Sequence, residues 1–289
     1  MKLEFKKIST ITKIRKKTEV VNFSVKNNEN YFANGILTHN CYMKRHKAEG
    51  LDIATNTMDI LTAINNHCAF ADVEKPNQTH EEYITYDISC NEDFALHAKY
   101  HEWQKIFDFF KQHPIAMGSF ATKYVNPNLT GYNPEGKIRI RFSLMPQSMS
   151  DLLEPNTSKI IDRIKAIDAF IDAGYDVHIN FSPVIVAGNW LEEYEYLFYM
   201  VNDYVSYKNV VKAEVIFLTH NENKHIYNIV NNIPGEEKYL WVPTIQEDKV
   251  SQYGGKNIRY KHYLKNDFIK SFIMLHDEII PWNVVRYCF

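Results

Sequence analysis

From residue 84 onward the chain alternates strand-like and helix-like segments, and this alternation constrains the fold more than any other feature. Apolar, β-branched stretches predict five strands, at residues 84–88, 115–120, 138–144, 177–186 and 213–218. Apolar residues at helical spacing predict four helices, at 102–112, 158–173, 191–205 and 264–279, and residues 284–287 are a candidate last strand. Such alternation argues for a parallel sheet with right-handed crossovers, curled into a full or partial barrel.

The predicted barrel is one strand short of a six-stranded partial barrel. We therefore expect an α/β fold, a partial (β/α)6 TIM-like barrel that lacks its first strand. The missing strand should lie upstream of Cys41, in a separate polypeptide that would have to be joined to this chain. A chain of 289 residues with 45% apolar content is long enough for a sizeable core and one or two domains.

The tripeptide His39-Asn40-Cys41 carries the groups for breaking its own peptide bond. The Asn40 carboxamide can attack its own carbonyl carbon and close a succinimide, which cleaves the bond to Cys41. The His39 imidazole can protonate the leaving amine. The Cys41 thiolate can accept an acyl group from an upstream segment. Read alone, the tripeptide is common and is more typical of a hairpin with a polar turn.

The residues before this junction resemble the C-terminal end of an intein, through Val20-Val21-Asn22-Phe23-Ser24-Val25 and residues 30–38. The resemblance implies that residues 1–40 are the C-terminal fragment of a split intein, a small all-β Hint segment. It also implies a partner polypeptide that carries the N-terminal intein half and its own extein. Splicing in trans would then release residues 41–289 as the C-terminal extein.

Charge divides the chain at the same place. Residues 1–40 hold eight basic and three acidic residues, a net charge of +5, and residues 41–289 carry −7. A cationic fragment would be steered toward an acidic intein partner. The alternative is a solvated basic arm, or one that binds nucleic acid.

The four cysteines are sparse and follow no disulfide pattern; they are Cys41, Cys68, Cys90 and Cys288. Together with the lack of a signal peptide at Met1 and of any bilayer-length apolar run, this predicts a cytoplasmic protein without membrane partners. Reactive thiols or metal ligands are then favoured over disulfides.

Four stretches after the junction stand out: Cys41-Tyr42, Ser89-Cys90-Asn91-Glu92-Asp93, Thr122-Lys123 with residues 139–143, and Glu154-Pro155-Asn156-Thr157-Ser158 with Arg163 and residues 173–175. Through these stretches, residues 41–289 resemble the spore photoproduct lyase family of radical S-adenosylmethionine enzymes. The family implies a radical SAM barrel, a [4Fe–4S] cluster held by three cysteines, and S-adenosylmethionine on the open iron. It also implies repair of a methylene-bridged thymine dimer in DNA.

The resemblance assigns a role to each matching residue. Cys41 would be the last cluster ligand, once splicing places two further cysteines upstream, and Tyr42 would relay a hydrogen atom. Cys90 would donate the hydrogen atom that quenches the substrate radical. Lys123 would pair with the S-adenosylmethionine carboxylate, and Ser143 at a strand end would contact the same cofactor.

Plainer interpretations stand beside these roles. Cys90 alone is typical of a small buried residue, and Lys123 and Ser143 alone are typical of loops. Arg139 and Arg141 alternate with apolar residues and fit a solvated or salt-bridged strand face.

Before splicing the chain should lack lyase activity, because one cysteine cannot hold the cluster.

Basic and aromatic residues are interleaved between residues 249 and 265, which suits phosphate contacts and base stacking. We take Lys256, Arg259 and Tyr260 as the centre of a candidate DNA-binding patch, with a solvated hairpin as the alternative. Two other functions stay open for the chain. One is a radical SAM enzyme that acts on another nucleotide or base, and the other is a metal-free nucleic-acid-binding protein.

Replacing Asn40 tests the splicing prediction. In Asn40→Ala the carboxamide is lost, so no succinimide can form and the bond to Cys41 should persist. Intact mass after mixing with an N-terminal intein partner should show a branched or unspliced species. Normal ligated product from this variant would contradict the intein interpretation.

Overall fold

The computed structural model describes residues 56–70, 80–88, 92–231, 236–250 and 256–289. The predicted intein segment 1–40, the junction residues His39, Asn40 and Cys41, and the adjacent Tyr42 lie outside the described residues. So does Cys90, which falls between two described segments.

Six parallel strands form the main sheet. The first five are consecutive neighbours: β1 Ile84–Asp87, β2 Ala116–Thr122, β3 Ile138–Ser143, β4 Asp176–Val184 and β5 Lys212–Phe217. The sixth position is taken by the last strand of the chain, β9 Val284–Cys288, which pairs with β5. All five predicted strands and the candidate last strand are confirmed. The count of five barrel strands between residues 84 and 218 is confirmed, and residues 284–288 add a sixth strand at the edge of the same sheet.

The sheet is open within the described residues, with β1 at one edge and β9 at the other. The predicted absence of a first strand concerns the region upstream of Cys41, which the structure does not describe, and it stays a prediction.

Four long helices follow the strands, close to their predicted bounds: α3 Trp103–Gln112, α5 Ile160–Asp172, α6 Trp190–Tyr204 and α9 His262–Ile279. Shorter helices are α2 Phe94–His97, α4 Gln147–Leu153, α7 Glu222–Val230 and α8 Glu237–Leu240. The sequence analysis missed α1, Thr57–Phe70. None of the helices in the described ranges is long and apolar enough to cross a bilayer.

The strand β3 shows how the two faces of the sheet differ. Ile138, Ile140 and Phe142 are fully buried, and the Phe142 ring meets the Phe170 ring of α5 edge-on at 5.3 Å. The alternate residues Arg139 and Arg141 are also buried, but among charged groups from other strands. The sheet therefore separates an apolar layer under the helices from a polar layer on its inner face.

A second, antiparallel sheet follows β5. It contains β6 Thr219–Asn221, β7 Gln246–Val250 and β8 Lys256–Tyr260, in the order β6-β8-β7. Its strands β7 and β8 are the hairpin that the sequence analysis kept as an alternative to the DNA-binding patch.

Tyr260 requires a correction. It is 1% exposed, its ring meets those of Phe217 and Phe268 edge-on, and its hydroxyl oxygen accepts the Val186 N–H at 2.8 Å. The predicted base-stacking role is wrong for this residue, because its ring belongs to the core.

Gly174 follows the last turn of α5 in a left-handed conformation with φ of 92°. The Gly174 N–H donates to the Ile171 carbonyl, and the Tyr175 N–H donates to the Phe170 carbonyl. These two bonds form a Schellman motif, which satisfies carbonyls at the helix end. The motif turns the chain directly into β4.

Gly174 and Gly136 form a matched pair for a stability test, since both have positive φ. A Cβ at Gly174 would stand 2.1 Å from Asn133 Oδ1, whereas one at Gly136 would meet nothing within 4 Å. Gly136→Ala should cost about 1–2 kcal/mol of unfolding free energy from backbone strain. Gly174→Ala should cost about 0.5–1.5 kcal/mol more, because the exposed Asn133 side chain must move away and lose the hydrogen bond that it accepts from the Glu135 N–H. Urea unfolding that gives equal losses for the two variants would contradict the steric argument.

Candidate active site at the carboxyl edge of the sheet

Lys123 and Ser143 lie at the carboxyl ends of neighbouring strands, a position that was predicted for Ser143. Lys123 directly follows β2 and is 7% exposed, and Ser143 is the last residue of β3 and is 3% exposed. Neither is the ordinary loop residue that the plainer interpretation allowed. Barrel enzymes place their chemistry at this edge of the sheet.

Arg163 of α5 joins the segments around these two residues. Its side chain is fully buried, and its Nη1 donates to the Ser143 carbonyl at 2.8 Å and to Glu154 Oε2 at 2.9 Å. Its Nε and Nη2 donate to the Ser158 carbonyl and the Thr157 hydroxyl. With the Ser150 hydroxyl at 3.4 Å, the side chain meets five acceptors, which suits a planar guanidinium with five donors.

The Lys123 ammonium reaches the same carboxylate from the other side. Its Nζ lies 3.4 Å from Glu154 Oε1, a long contact for an ion pair. Glu154 Oε1 has no hydrogen-bond partner in the part of the chain that the structure describes. An ammonium has three donors, so Lys123 retains capacity for a further anionic acceptor. Lys123 and Ser143 are thus connected through Glu154 and Arg163.

Asp93 fixes the backbone at Lys123. Its carboxylate accepts the Lys123 N–H at 2.7 Å and the Thr122 hydroxyl at 2.7 Å, and it caps α2 through the Leu96 N–H. Burial raises the pKa of Asp93, and these hydrogen bonds partly offset the increase. In the sequence, Asp93 stands three residues after Cys90, the predicted hydrogen donor.

The inner face of the sheet carries a layer of paired charges, which confirms the salt-bridged alternative for Arg139 and Arg141. Arg139 pairs with Asp176 at 2.6 Å. Arg141 lies 2.7 Å from Asp87 and 3.6 Å from Glu214. Arg286 of β9 completes the layer by pairing with Glu214 at 2.9 Å. Cations and carboxylates alternate across the strands, so each buried charge has an opposite neighbour.

These pairings determine how the buried groups titrate. Burial alone would lower the pKa of Arg141, but the carboxylates of Asp87 and Glu214 outweigh it and raise that pKa. Burial opposes ionisation of Glu214, yet the neighbouring Arg141 and the Tyr287 hydroxyl bring its pKa below the ordinary value. Burial lowers the pKa of His178 to about 4, so this imidazole is neutral at pH 7.

Asn180 offers an unused acceptor beside Ser143. The two residues are paired in the register of β3 and β4, and Asn180 is 6% exposed. Its Oδ1 is buried and meets no hydrogen-bond donor within the described ranges. A buried carbonyl without a partner is costly, so this atom fits a bound ligand that carries a donor.

The candidate DNA-binding patch is only partly on the surface. Lys256 is exposed at the start of β8, whereas Arg259 points to the opposite strand face and pairs with Glu247 at 3.0 Å. Lys265 lies near two other cations, Lys249 and Arg259. Burial lowers the pKa of Lys265, and the charges of Lys249 and Arg259 lower it further.

Glu154, Arg163 and Asp93 were missed as site residues, although each stood in a stretch that carried the family resemblance. Charged residues inside such stretches were the available signal. Their roles are to hold Lys123 and Ser143, and this depends on contacts between elements that spacing in the sequence does not reveal.

Comparison with known proteins gives a consistent result. The family model for spore photoproduct lyase matches residues 14–288. The spore photoproduct lyase of Bacillus subtilis (strain 168) is 28% identical over 119 residues, which is 40% of this chain and 35% of that protein. The enzyme of Clostridium acetobutylicum is 25% identical over 190 residues, 64% of this chain and 54% of that protein. The matches thus span about a third to a half of these relatives.

Solved structures share the fold. A spore photoproduct lyase mutant superposes with a TM-score of 0.73 at 18% identity, covering 86% of this chain and 72% of that one. A spore photoproduct lyase complexed with dinucleoside spore photoproduct gives 0.70 at 19% identity, with 82% and 68% covered. The curled, parallel half-barrel is the same in both. The family match begins inside residues 1–40, and the boundary predicted at residue 40 stays a prediction.

The first prediction from this site concerns the Arg163–Glu154 pair. Glu154→Gln leaves a buried guanidinium without its counter-charge, and should lower the unfolding free energy by about 3 kcal/mol. The control is Asp151→Asn, which removes an exposed pair with Lys159 and should leave stability near that of the wild type. Urea unfolding measures both, and equal effects would mean that the buried pair is not a main support.

The second prediction concerns pH. Because the pKa of His178 falls from 6.5 to about 4 on folding, the unfolded state binds more protons between these values. The contribution of neutral His178 to the unfolding free energy is therefore complete above pH 6.5. It falls by on the order of 3 kcal/mol as the pH is lowered toward 4. His178→Gln should show a smaller loss of unfolding free energy between pH 7 and pH 4.5. Parallel stability curves for the two proteins would exclude this assignment.

Proposed function

Since this chain belongs to the spore photoproduct lyase family, we propose that it forms the larger part of a radical S-adenosylmethionine lyase that reverses a methylene-bridged thymine dimer in DNA. The observation that carries the proposal is the convergence of Lys123 and Ser143 on one buried ion pair at the carboxyl edge of the sheet. Solved structures of this fold include one with bound AdoMet and dinucleoside spore photoproduct.

The described residues fit the amino-acid end of S-adenosylmethionine. Lys123 retains donors for a carboxylate, and Asn180 Oδ1, which has no partner among the residues that the structure describes, suits an ammonium or hydroxyl donor. When bound at a reduced [4Fe–4S] cluster, this cofactor supplies the radical chemistry that removes a hydrogen atom from the lesion. Cys41 would provide one cluster ligand, and Cys90 would return a hydrogen atom from its thiol, with Tyr42 assisting.

The polar inner layer would shape the chamber around the reaction. Its arginines and carboxylates are already paired, so they bind each other rather than a substrate phosphate. The neutral His178 adds no charge at pH 7. We infer that the lesion is held by groups at the strand ends and that the inner layer fixes the strands.

We also propose that splicing in trans precedes this activity. The residue order that ends in His39-Asn40-Cys41 and the net charge of +5 on residues 1–40 support an intein fragment that associates with an acidic partner. Ligation would add the N-terminal extein and the two remaining cluster cysteines. The unspliced chain has one cysteine in that motif and should not hold the cluster.

DNA is the proposed macromolecular partner. Lys265 lies near Lys249 and Arg259, so these three cations form a local group on a domain that is otherwise acidic, and Tyr263, two residues before Lys265, is 64% exposed. Phosphates would position the duplex on such a group, and an exposed aromatic ring can stack on a base. Lys256 lies at the start of the same strand as Arg259, on its other face.

Product analysis tests the lyase proposal. The ligated protein, with its cluster reduced, should convert dinucleoside spore photoproduct to two unmodified thymine nucleosides in the presence of S-adenosylmethionine. Cys90→Ala should still consume the cofactor but give altered products, because the substrate radical lacks its hydrogen donor. The control Cys68→Ala changes a buried cysteine of α1 and should give the wild-type product. Clean repair by Cys90→Ala would remove Cys90 from the mechanism.

A further inference from the structure

We propose that His220, His225 and Glu237 form a binding site for a divalent transition-metal ion, for which Zn²⁺ is the best match. The site lies beside the small antiparallel sheet and shares no residue with the carboxyl-edge site. It therefore stands independently of the lyase proposal.

Three separate elements bring the donor atoms together. His220 comes from β6, His225 from α7 and Glu237 from α8. The His220 Nε2 lies 3.2 Å from both Glu237 carboxylate oxygens, and the His225 Nδ1 lies 2.5 Å from Oε2. One ligand atom from each residue lies within 4.8 Å of the other two. Tetrahedral zinc with bonds of about 2.1 Å separates its ligand atoms by roughly 3.4 Å, so small shifts would admit an ion.

The burial of the three residues suits an ion that enters from one side. His220 is 1% exposed as a residue, and the Glu237 side chain is 10% exposed. The His225 side chain is 22% exposed and forms the open side. An ion at this place would have three protein ligands and an open fourth position for water.

Neighbouring groups hold the ligands in place. The Asn228 side chain donates to Glu237 Oε1, which leaves Oε2 directed at His225. The His225 ring stacks on Trp241 with a centroid distance of 4.0 Å and an interplanar angle of 9°. Partners that fix ligand orientation in this way are usual around protein metal sites.

The donor set favours zinc among the common metals. Two imidazoles and one carboxylate suit Zn²⁺, whereas Mg²⁺ and Ca²⁺ prefer sites made of oxygen atoms alone. A purely hydrogen-bonded trio would use an N–H from each imidazole toward Glu237. In a metal site the same nitrogens present lone pairs, so binding of the ion distinguishes the two arrangements.

Such an ion would fasten α7 and α8 to the antiparallel sheet. The helix α7 packs against β6, β8 and α8, and Asn221 of β6 is hydrogen-bonded to Asn257 of β8. Strand β8 also carries Arg259, and β7 carries Lys249. An ion held in this way would help to order the surface on which these cations stand.

Zinc titration of the full-length, chelator-treated chain tests the site. Competition with a chromophoric chelator measures the number of Zn²⁺ ions bound tightly per chain. The wild type should bind one more ion than His225→Ala or Glu237→Gln. Asn228→Ala should retain the ion with affinity weakened by about 10–100-fold. The control His262→Ala changes an exposed histidine at the start of α9 and should bind as the wild type does. Zinc held by the cysteine thiols would appear equally in all five proteins.

The thermal midpoint provides a second measurement. Added Zn²⁺ should raise the Tm of the wild type and of His262→Ala, and should raise it less or not at all for His225→Ala. His225 is partly exposed, so its variant should fold even if Glu237→Gln does not. A wild type that binds no more zinc than His225→Ala, and gains no more in Tm, would overturn the proposal.

Discussion

A single buried arginine holds together the part of the molecule where chemistry is expected. Arg163 extends from α5 to the end of β3 through the Ser143 carbonyl, and to α4 and the following loop through Glu154, Thr157 and Ser158. Through Glu154 it also reaches Lys123 at the end of β2. A buried arginine without its counter-ion would be very costly here, so arrangements of these segments that do not form the pair are disfavoured. The sites for Lys123 and Ser143 exist because this pair is made.

The inner face of the sheet depends on the same principle at a larger scale. A parallel sheet normally buries apolar residues on both faces. Here the helix-facing side does so, while the other side carries arginines and carboxylates in alternation. Pairing offsets the desolvation of each charge, and it leaves a polar surface instead of a filled apolar core. Such a surface suits a partial barrel that must admit a polar cofactor and a nucleotide.

Much of the fold could be predicted from periodicity, because β3, α5 and β4 have strongly patterned residues and a glycine at the helix end. The position of residues 284–288 could not, because nothing local indicates which edge a late strand will join. Tyr260 was misassigned for a related reason. Basic neighbours suggested a surface, but alternation along β8 turns its ring into the core. Lys123 and Ser143 were found by resemblance, whereas their supports Asp93, Glu154 and Arg163 required the tertiary contacts.

The proposed cofactor site depends most directly on Lys123. The test is the affinity of the ligated, cluster-loaded protein for S-adenosylmethionine. Lys123→Met keeps the apolar stem and removes the charge. A lost charge-assisted contact should weaken binding by about 10–100-fold. Lys137→Met provides the comparison. Lys137 is an equally buried lysine, but it directly precedes β3 and therefore lies at the amino ends of the strands. Weakening in Lys123→Met alone is the result we predict. Equal affinity in Lys123→Met and the wild type would contradict the placement of the cofactor at this edge.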